Sequence, residues 1–193
     1  GMASIAMFGN TNQPVEVMVR SSHLFTPLPE IIREDMAFLD RLHFYIPGWE
    51  MPKMKIDFFT THYGFVVDYL AEALRELRRH SFTERIDNYF AFGTHLKSRD
   101  VKAVRRTFSG LVKLIHPSGE MTKEEAAELL ELALEGRRRV KEQLKKMGSF
   151  EFHQTSFSYI DNETREERFV GVPEQGGGEA VSTDPLAPGS VYA

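Results

Sequence analysis

The chain has 193 residues, of which 41% are hydrophobic and 27% are charged, so it can bury a core and is not globally disordered. It contains no cysteine, which excludes disulfides, thiolate zinc sites and a cysteine nucleophile, and its net charge of −4 gives no overall attraction to nucleic acid. We expect a cytoplasmic protein with no membrane partner, because no apolar run approaches the roughly 20 residues that span a bilayer.

The first segment is short and apolar and runs into residues that favour turns. Residues 3–8 read Ala-Ser-Ile-Ala-Met-Phe, and a Gly-Asn-Thr-Asn sequence follows at 9–12. This pattern predicts a buried strand that ends in a loop at Asn10. A parallel strand needs a neighbour that is reached through a crossover connection. We therefore expect another part of the sheet to precede this chain.

Helical periodicity begins beyond the prolines at positions 14, 27, 29, 47 and 52, which leave room for only short elements. Apolar residues at helical spacing and end signals predict four helices. They cover Val66 to Leu77, Thr83 to Phe92, about Ser98 to Ile115, and a stretch from Thr122 to Gly148. The last is the best defined, because Thr122-Lys-Glu-Glu125 forms a capping box.

The period of the apolar residues changes to two after Gly148. Aromatic residues alternate from Phe150 to Tyr159, polar residues follow at 161–164, and the apolar pair Phe169-Val170 comes next, which together predict a β-hairpin. The proline- and glycine-rich tail from 173 to 193 reads as a linker. The predicted fold class is mainly α with minor β (α+β).

Few residues in the sequence form a recognisable catalytic pattern. There is no G-x-x-x-x-G-K-[ST] phosphate loop, and the seven histidines are scattered without metal-ligand spacing, so no metal site is predicted. Ser109 lies inside a predicted helix and is interpreted as a packing residue. The glutamates between 124 and 135 are expected to form a solvated helix face, with Glu135 paired to Arg139.

Three polar residues stand out from the apolar patterns around them. Asn10 ends the predicted first strand, Arg41 lies in a turn-rich stretch, and Arg106 lies in the third predicted helix among apolar residues. An arginine stem can pack beside an apolar face while its guanidinium meets a carboxylate or a phosphate. From the residues alone, salt bridges and helix caps remain open as alternatives to a functional role.

Four strings in the sequence resemble a known family, the Lon-like AAA+ proteins of BREX bacterial phage-defence systems. The strings are His23-Leu-Phe-Thr-Pro-Leu-Pro-Glu30, Phe38-Leu-Asp-Arg-Leu-His43, Tyr45-Ile-Pro-Gly-Trp-Glu50 and Val172-Pro-Glu-Gln-Gly-Gly-Gly178. The resemblance covers essentially the whole chain. It implies a longer parent, with Walker motifs upstream and a Lon-type protease-like domain downstream.

The resemblance also implies roles for the three polar residues, because the family's AAA+ part is similar to that of minichromosome-maintenance helicases. Asn10 corresponds to sensor 1, with Asn12 as the alternative, and would position the water that attacks the γ-phosphate. Arg41 corresponds to the arginine finger that reaches the ATP of a neighbouring subunit. Arg106 corresponds to sensor 2, which contacts the γ-phosphate, with Arg105 as the alternative.

The same resemblance implies a domain layout and partners. Residues 1–55 would be the C-terminal part of the AAA+ core, including its last strands, and residues 56–148 the helical lid. Residues 149–172 would be the hairpin and residues 173–193 a linker. The intact parent would bind ATP and Mg²⁺, form a homo-oligomer, by analogy a hexameric ring, and act on DNA in phage defence. We expect the fragment to bind no nucleotide and to be inactive alone, and the Ser-Lys dyad of a Lon-type protease would lie beyond Ala193.

A function of a different class remains open, namely a helical module that binds DNA without catalysis. Its basis is two basic clusters, which comprise Arg75, Arg78, Arg79, Arg137, Arg138 and Arg139. Acidic neighbours on both predicted helices favour a solvated charged face instead. A third alternative, a soluble scaffold, is supported only by the lack of catalytic residues.

Overall fold

The computed structural model describes residues 4–148 and 152–173. The described part contains six α-helices, namely α1 Val15–Ser21, α2 Glu30–Arg33, α3 Met36–Leu39, α4 Val67–Leu77, α5 Ser98–Ile115 and α6 Lys123–Lys146. Its strands are β1 Phe90–Phe92, β2 Ser158–Asp161 and β3 Glu167–Phe169, and its 3₁₀ helices are Gly48–Glu50, Ile56–Phe58 and Thr83–Asn88. The predicted class, mainly α with minor β, is confirmed. The predicted linker lies, except for Pro173, outside the described residues.

The helix α6 begins where its local capping signals place it. The Thr122 hydroxyl accepts from the amide of Glu125 at 3.2 Å, and the Glu125 carboxylate accepts from the amide of Thr122 at 2.7 Å. These reciprocal bonds satisfy two amides that have no partner inside the helix. The helix is followed by Gly148 at φ 93°, which only glycine adopts without strain. The predicted capping box and helix are confirmed.

The main core lies between α5, α6 and the small sheet. Each element contributes apolar side chains that solvent does not reach, and these include Val104, Phe108, Val112, Ala126, Leu130, Ala133, Leu134, Phe90, Phe157 and Tyr159. The rings of Phe90 and Tyr159 meet edge to face with centroids 5.1 Å apart. Burying each large side chain stabilises the fold by roughly 1.5–3 kcal/mol, so this cluster accounts for the position of α5 against α6.

The strands form an antiparallel sheet in the order β1-β2-β3. The hairpin predicted after Gly148 is confirmed as β2 and β3, with Ser158 opposite Phe169. The helix predicted over residues 83–92 is wrong at its end, because a 3₁₀ helix stops at Asn88 and β1 follows. Phe92 lies opposite Tyr159, so pairing with a distant strand overrides the local helical pattern.

The strand predicted for residues 3–8 is also wrong. Residues 4–10 have no regular structure, and Ile5 and Phe8 are 76% and 97% exposed. A parallel strand is stable only with hydrogen-bonded neighbours and covered faces. The described residues contain no neighbour for it, so its apolar side chains stay in solvent.

A second core joins the N-terminal segment to the C-terminal half of α6. Phe25 and Leu39 pack with Val140, Leu144 and Phe152. The amide of Tyr45 also donates to the carbonyl of Gly136 at 3.1 Å. The helix α6 therefore packs against α5 and the sheet with its first half, and against the segment around α3 with its second half.

Residues 51–80 differ from the rest, because nearly all of their side chains are exposed. The helix predicted over Val66–Leu77 is confirmed as α4. Its apolar face, however, is open: Val67 is 75% exposed and Leu70 is 44% exposed. None of the described helices is long and apolar enough to cross a membrane.

Candidate functional site

Arg41 lies at the end of α3 with its side chain in solvent. The Asp35 carboxylate caps α3 by accepting from the amide of Phe38 at 2.9 Å. After Leu39 the chain turns, and the amide of Arg41 donates to the carbonyl of Phe38 at 2.9 Å. The Arg41 guanidinium donates to the carbonyl of Ala37 on the same short helix. This turn points Asp40 into the protein and leaves Arg41 exposed.

Asp40 is the centre of a buried group of charges. Its carboxylate lies 2.9 Å from the guanidinium of Arg137, 2.5 Å from the ammonium of Lys141 and 2.8 Å from the guanidinium of Arg99. Burial alone would raise the pKa of Asp40, but hydrogen bonds from Lys141 and Arg99 outweigh it and lower the pKa below its ordinary value. Asp40 therefore stays ionised inside the fold.

A second buried carboxylate, Asp100 near the start of α5, completes the group. It lies 2.7 Å from the guanidinium of Arg137 and 3.3 Å from the ammonium of Lys141. We call Asp40, Asp100, Arg137 and Lys141 the ion cluster. It joins the residue before Arg41 to α5 and to α6, whose residues are distant in the sequence.

Arg106 is exposed on α5, whereas its neighbour Arg105 is held in place. Arg105 makes two bonds to the carboxylate of Asp87, at 2.9 and 2.6 Å, and a third to the carbonyl of Thr83 at 2.8 Å. It also stacks on Phe92 at 5.2 Å. The hydrogen bond to Asp87 raises the pKa of Arg105 despite partial burial. Of the two candidates for sensor 2, Arg106 is exposed and Arg105 is paired with a carboxylate of its own fold.

Arg106 lines a shallow open groove of about 450 Å³. The other lining residues are Thr83, Glu84, Leu96, Ser98, Val101, Lys102 and Arg105. Because Asp87 neutralises Arg105, the remaining charges of the groove are those of Lys102, Arg106 and Glu84, which leave it weakly positive. Within the described ranges, no group of three or more His, Asp or Glu side chains lies together as a metal site.

The basic face of α5 lies close to His43, which follows Arg41 by two residues. Burial lowers the pKa of His43, and the positive charges of Arg106, Arg137 and Lys102 lower it further. Arg106 is thus near enough to His43 for its charge to act on the imidazole.

Asn10 and Asn12 are exposed in the irregular segment before α1. The backbone at Gly9 runs beside Pro27. In the part of the chain that the structure describes, no hydrogen bond or ion pair joins Asn10 to Arg41 or Arg106. The structure thus brings together the segments of the two predicted arginines but not the predicted asparagine.

The basic run at 137–139 is not at the surface. The two roles predicted for it, a DNA-binding surface and a solvated charged face, are therefore both wrong. Arg137, Arg138 and Arg139 are all buried. Arg138 donates to the carbonyl of Val170 at 2.7 Å, and Arg139 bonds Glu135 at 2.6 Å. The predicted Glu135–Arg139 pair has a spacing of four, as does the pair of Arg138 with Glu142 at 3.6 Å. The carboxylates that retain Arg137 lie far away in the sequence.

Comparison with known proteins gives the family. The family model for the ATPase domain of Lon-like protease BrxL-like proteins matches residues 1–158. A Lon-like protease BrxL of Bacillus cereus (strain H3081.97) is 56% identical over 190 residues. Another, of Escherichia coli O9:H4 (strain HS), is 55% identical over 192 residues. The chain belongs to the BrxL-like ATPase family.

The BrxL-like match includes Asn10, Arg41 and Arg106, and it ends at Ser158, the first residue of β2. The alignments include 98% and 100% of this chain, but only 28% of the length of each relative. The chain therefore spans less than a third of the BrxL proteins that it matches. The resemblance inferred from the sequence strings is confirmed at the level of the family.

Proposed function

We propose that this chain supplies ATP-sensing arginines to a longer BrxL-like AAA+ ATPase, with Arg41 as the arginine finger and Arg106 as sensor 2. The observation that carries the proposal is the placement of these two arginines. Both residues are exposed on neighbouring elements and neither is paired with a carboxylate of the described residues, whereas Arg105, Arg137 and Arg139 are engaged with carboxylates. An arginine that reaches a phosphate on another element must present its guanidinium outside its own fold.

The chemistry of ATP hydrolysis suits residues of this kind. Phosphoryl transfer is accelerated mainly by positioning and by neutralising the charge on the transferred group. A guanidinium can donate to two phosphate oxygens at once, and an arginine finger contributes on the order of 10³-fold or more. ATP with Mg²⁺, when bound, supplies the phosphoryl group and part of the neutralising charge. An exposed guanidinium suits contact with phosphate oxygens, whereas the described residues contain no group of three or more His, Asp or Glu side chains for the metal.

The proposal extends to the parent's assembly and partner. An arginine that acts on a neighbour's ATP requires a heterologous interface. Such an interface generates a ring when the rotation from one subunit to the next adds up to a full turn. We therefore include a homo-oligomeric ring, with six subunits by analogy, acting on DNA in phage defence. Asn10 is included as sensor 1, since it belongs to the segment that the family model matches.

The test is ATP turnover by the full-length polypeptide that carries this segment. We expect Arg41→Ala and Arg106→Ala each to lower kcat on the order of 10²- to 10³-fold. The matched control is Arg20→Ala, which removes an exposed arginine from α1. Arg105→Ala separates the two sensor 2 candidates. It removes the contact of α5 with Asp87 and should therefore lower stability, while kcat should fall much less than in Arg106→Ala. Near-wild-type turnover in both Arg41→Ala and Arg106→Ala would overturn the assignment.

A further inference from the structure

The ion cluster is more elaborate than stability alone requires. Two charges taken out of water lose hydration, and a buried ion pair is often no more stabilising than well-packed apolar side chains. The cluster nevertheless places Asp40, Asp100, Arg137 and Lys141 together, each with at most about a twentieth of its side chain in solvent. Removing one partner would leave an uncompensated charge, so the cluster enforces one arrangement of its three elements.

Arg137 binds the backbone on both sides of Arg41. Its guanidinium donates to the carbonyl of Asp40 at 3.0 Å and also to the carbonyl of Leu42. The same guanidinium donates to the carboxylates of Asp40 and Asp100, at 2.9 and 2.8 Å. A planar fork with five donors can make all these bonds at once, whereas a lysine cannot.

We propose that Arg137 is a positioning residue for Arg41, which fixes the turn 40–42 against α5 and α6. This inference rests on the proposed function, in which Arg41 contacts a phosphate. Arg137 bonds the carbonyls of the residues before and after Arg41. These bonds fix the Cα of Arg41, while the residue itself is exposed. Misplacing a catalytic group by about 1 Å can cost on the order of 100-fold in rate.

The same contacts couple Arg41 to Arg106. Asp100 precedes Arg106 by six residues on α5, which is about 9 Å along a helix axis. Arg137 bonds both Asp100 and the turn 40–42, so it joins the helix that carries Arg106 to the turn that carries Arg41.

A double-mutant cycle in the full-length polypeptide tests the positioning role. We expect Arg137→Met to lower kcat on the order of tenfold or more with little change in KM for ATP, since Arg41 acts on the transition state. In the Arg41→Ala background, Arg137→Met should lower kcat no further, because the group that it positions is gone. Effects that multiply in the double variant would overturn the proposal.

Arg139→Met is the matched structural control. Arg139 lies on the same helix and is similarly buried, and the carboxylates that it pairs with are Glu135 and Glu50 rather than Asp40 and Asp100. We expect it to lower the thermal midpoint about as much as Arg137→Met while keeping kcat within about twofold. Equal losses of kcat in the two variants would show that Arg137 only stabilises the fold.

A conservative variant covers the case in which Arg137→Met does not fold. Arg137→Lys keeps a charge beside Asp40 and Asp100 but cannot hold both carbonyls, so it should fold and still lower kcat. Full turnover in Arg137→Lys would contradict the positioning role. Full turnover in Arg41→Ala would instead refute the proposed role of Arg41 as the arginine finger, which distinguishes the two failures.

Discussion

The pair α5–α6 and the segment 51–80 are built from similar sequence patterns but end in opposite environments. In both, apolar residues recur at helical spacing. Phe108 and Leu130 are fully buried between α5 and α6, whereas Val67 and Tyr69 on α4 are 75% and 66% exposed. The pattern therefore specifies a helix and its apolar face, but not what covers that face.

The charges of the two regions differ in the same way. Arg75 on α4 and Arg79 just after it pair with glutamates three residues earlier, at 3.3 and 3.0 Å, and all four side chains are largely in solvent. Such pairs contribute about 0–1 kcal/mol. On α6, Arg137 bonds carboxylates from two other elements. Burial and long-range pairing, rather than charge content, make one region part of the core.

The largest effect should come from deleting a buried ring. We expect Phe108→Ala to lower the free energy of unfolding of this chain by about 3–5 kcal/mol, since it leaves a cavity between α5 and α6. Tyr69→Ala removes a comparable ring from α4 and should change the free energy of unfolding by about 0.5 kcal/mol or less. Urea unfolding of both variants measures the difference. Equal losses would remove the distinction between the two regions.

An intermediate effect should come from adding one methyl group to α6. A Cβ at Gly136 would lie 2.1 Å from the ring of Phe44, so Gly136→Ala should cost about 1–3 kcal/mol by displacing that ring. Gly110→Ala is the control on α5, where nothing lies within 4 Å of an added Cβ. Gly110→Ala should raise the free energy of unfolding by about 0.5–1 kcal/mol, because alanine has a higher helix propensity than glycine. Thermal unfolding compares the two, and a stabilising Gly136→Ala would show that Phe44 does not pack there.

The smallest effect concerns an ion pair at the end of β2, the central strand of the sheet. A hydrogen bond from Lys123, together with the amides of Thr164 and Glu163, lowers the pKa of Asp161 from 3.8 to about 2. A lowered folded-state pKa stabilises the protein above the unfolded value, and this contribution is lost as the pH falls from about 4 to 2. Lys123→Met should raise the pKa of Asp161, measured by NMR titration of its carboxyl carbon. Lys53→Met is the control, and an unchanged titration in Lys123→Met would contradict the contact.

Local signals predicted the parts of the fold that depend on local physics. The start of α6 follows from Thr122 and Glu125, three residues apart, and α4 follows from its apolar spacing. The strand expected at 3–8 failed because a strand depends on neighbours. The strand β1 was read as helix because its partner Tyr159 lies 67 residues beyond Phe92.

The candidate site was predicted only in part, for the same reason. Arg41 and Arg106 were singled out from the sequence and lie exposed on neighbouring elements, while their roles stay predictions. Arg137 was read as a surface charge because its partners Asp40 and Asp100 are 97 and 37 residues away. Nothing local distinguishes an arginine that binds distant carboxylates from one in solvent.

The central claim is that Arg41 acts on the ATP of a neighbouring subunit, and subunit mixing tests it most directly. One full-length variant would carry Arg41→Ala with its phosphate loop intact, and the other would keep Arg41 but lack the Walker lysine. Each alone should turn over ATP on the order of 10² or more times slower than the unmodified protein. When the two are mixed in one assembly, an intact loop can face an intact Arg41, and we predict a partial recovery of turnover. Co-assembly without any recovery would contradict the claim.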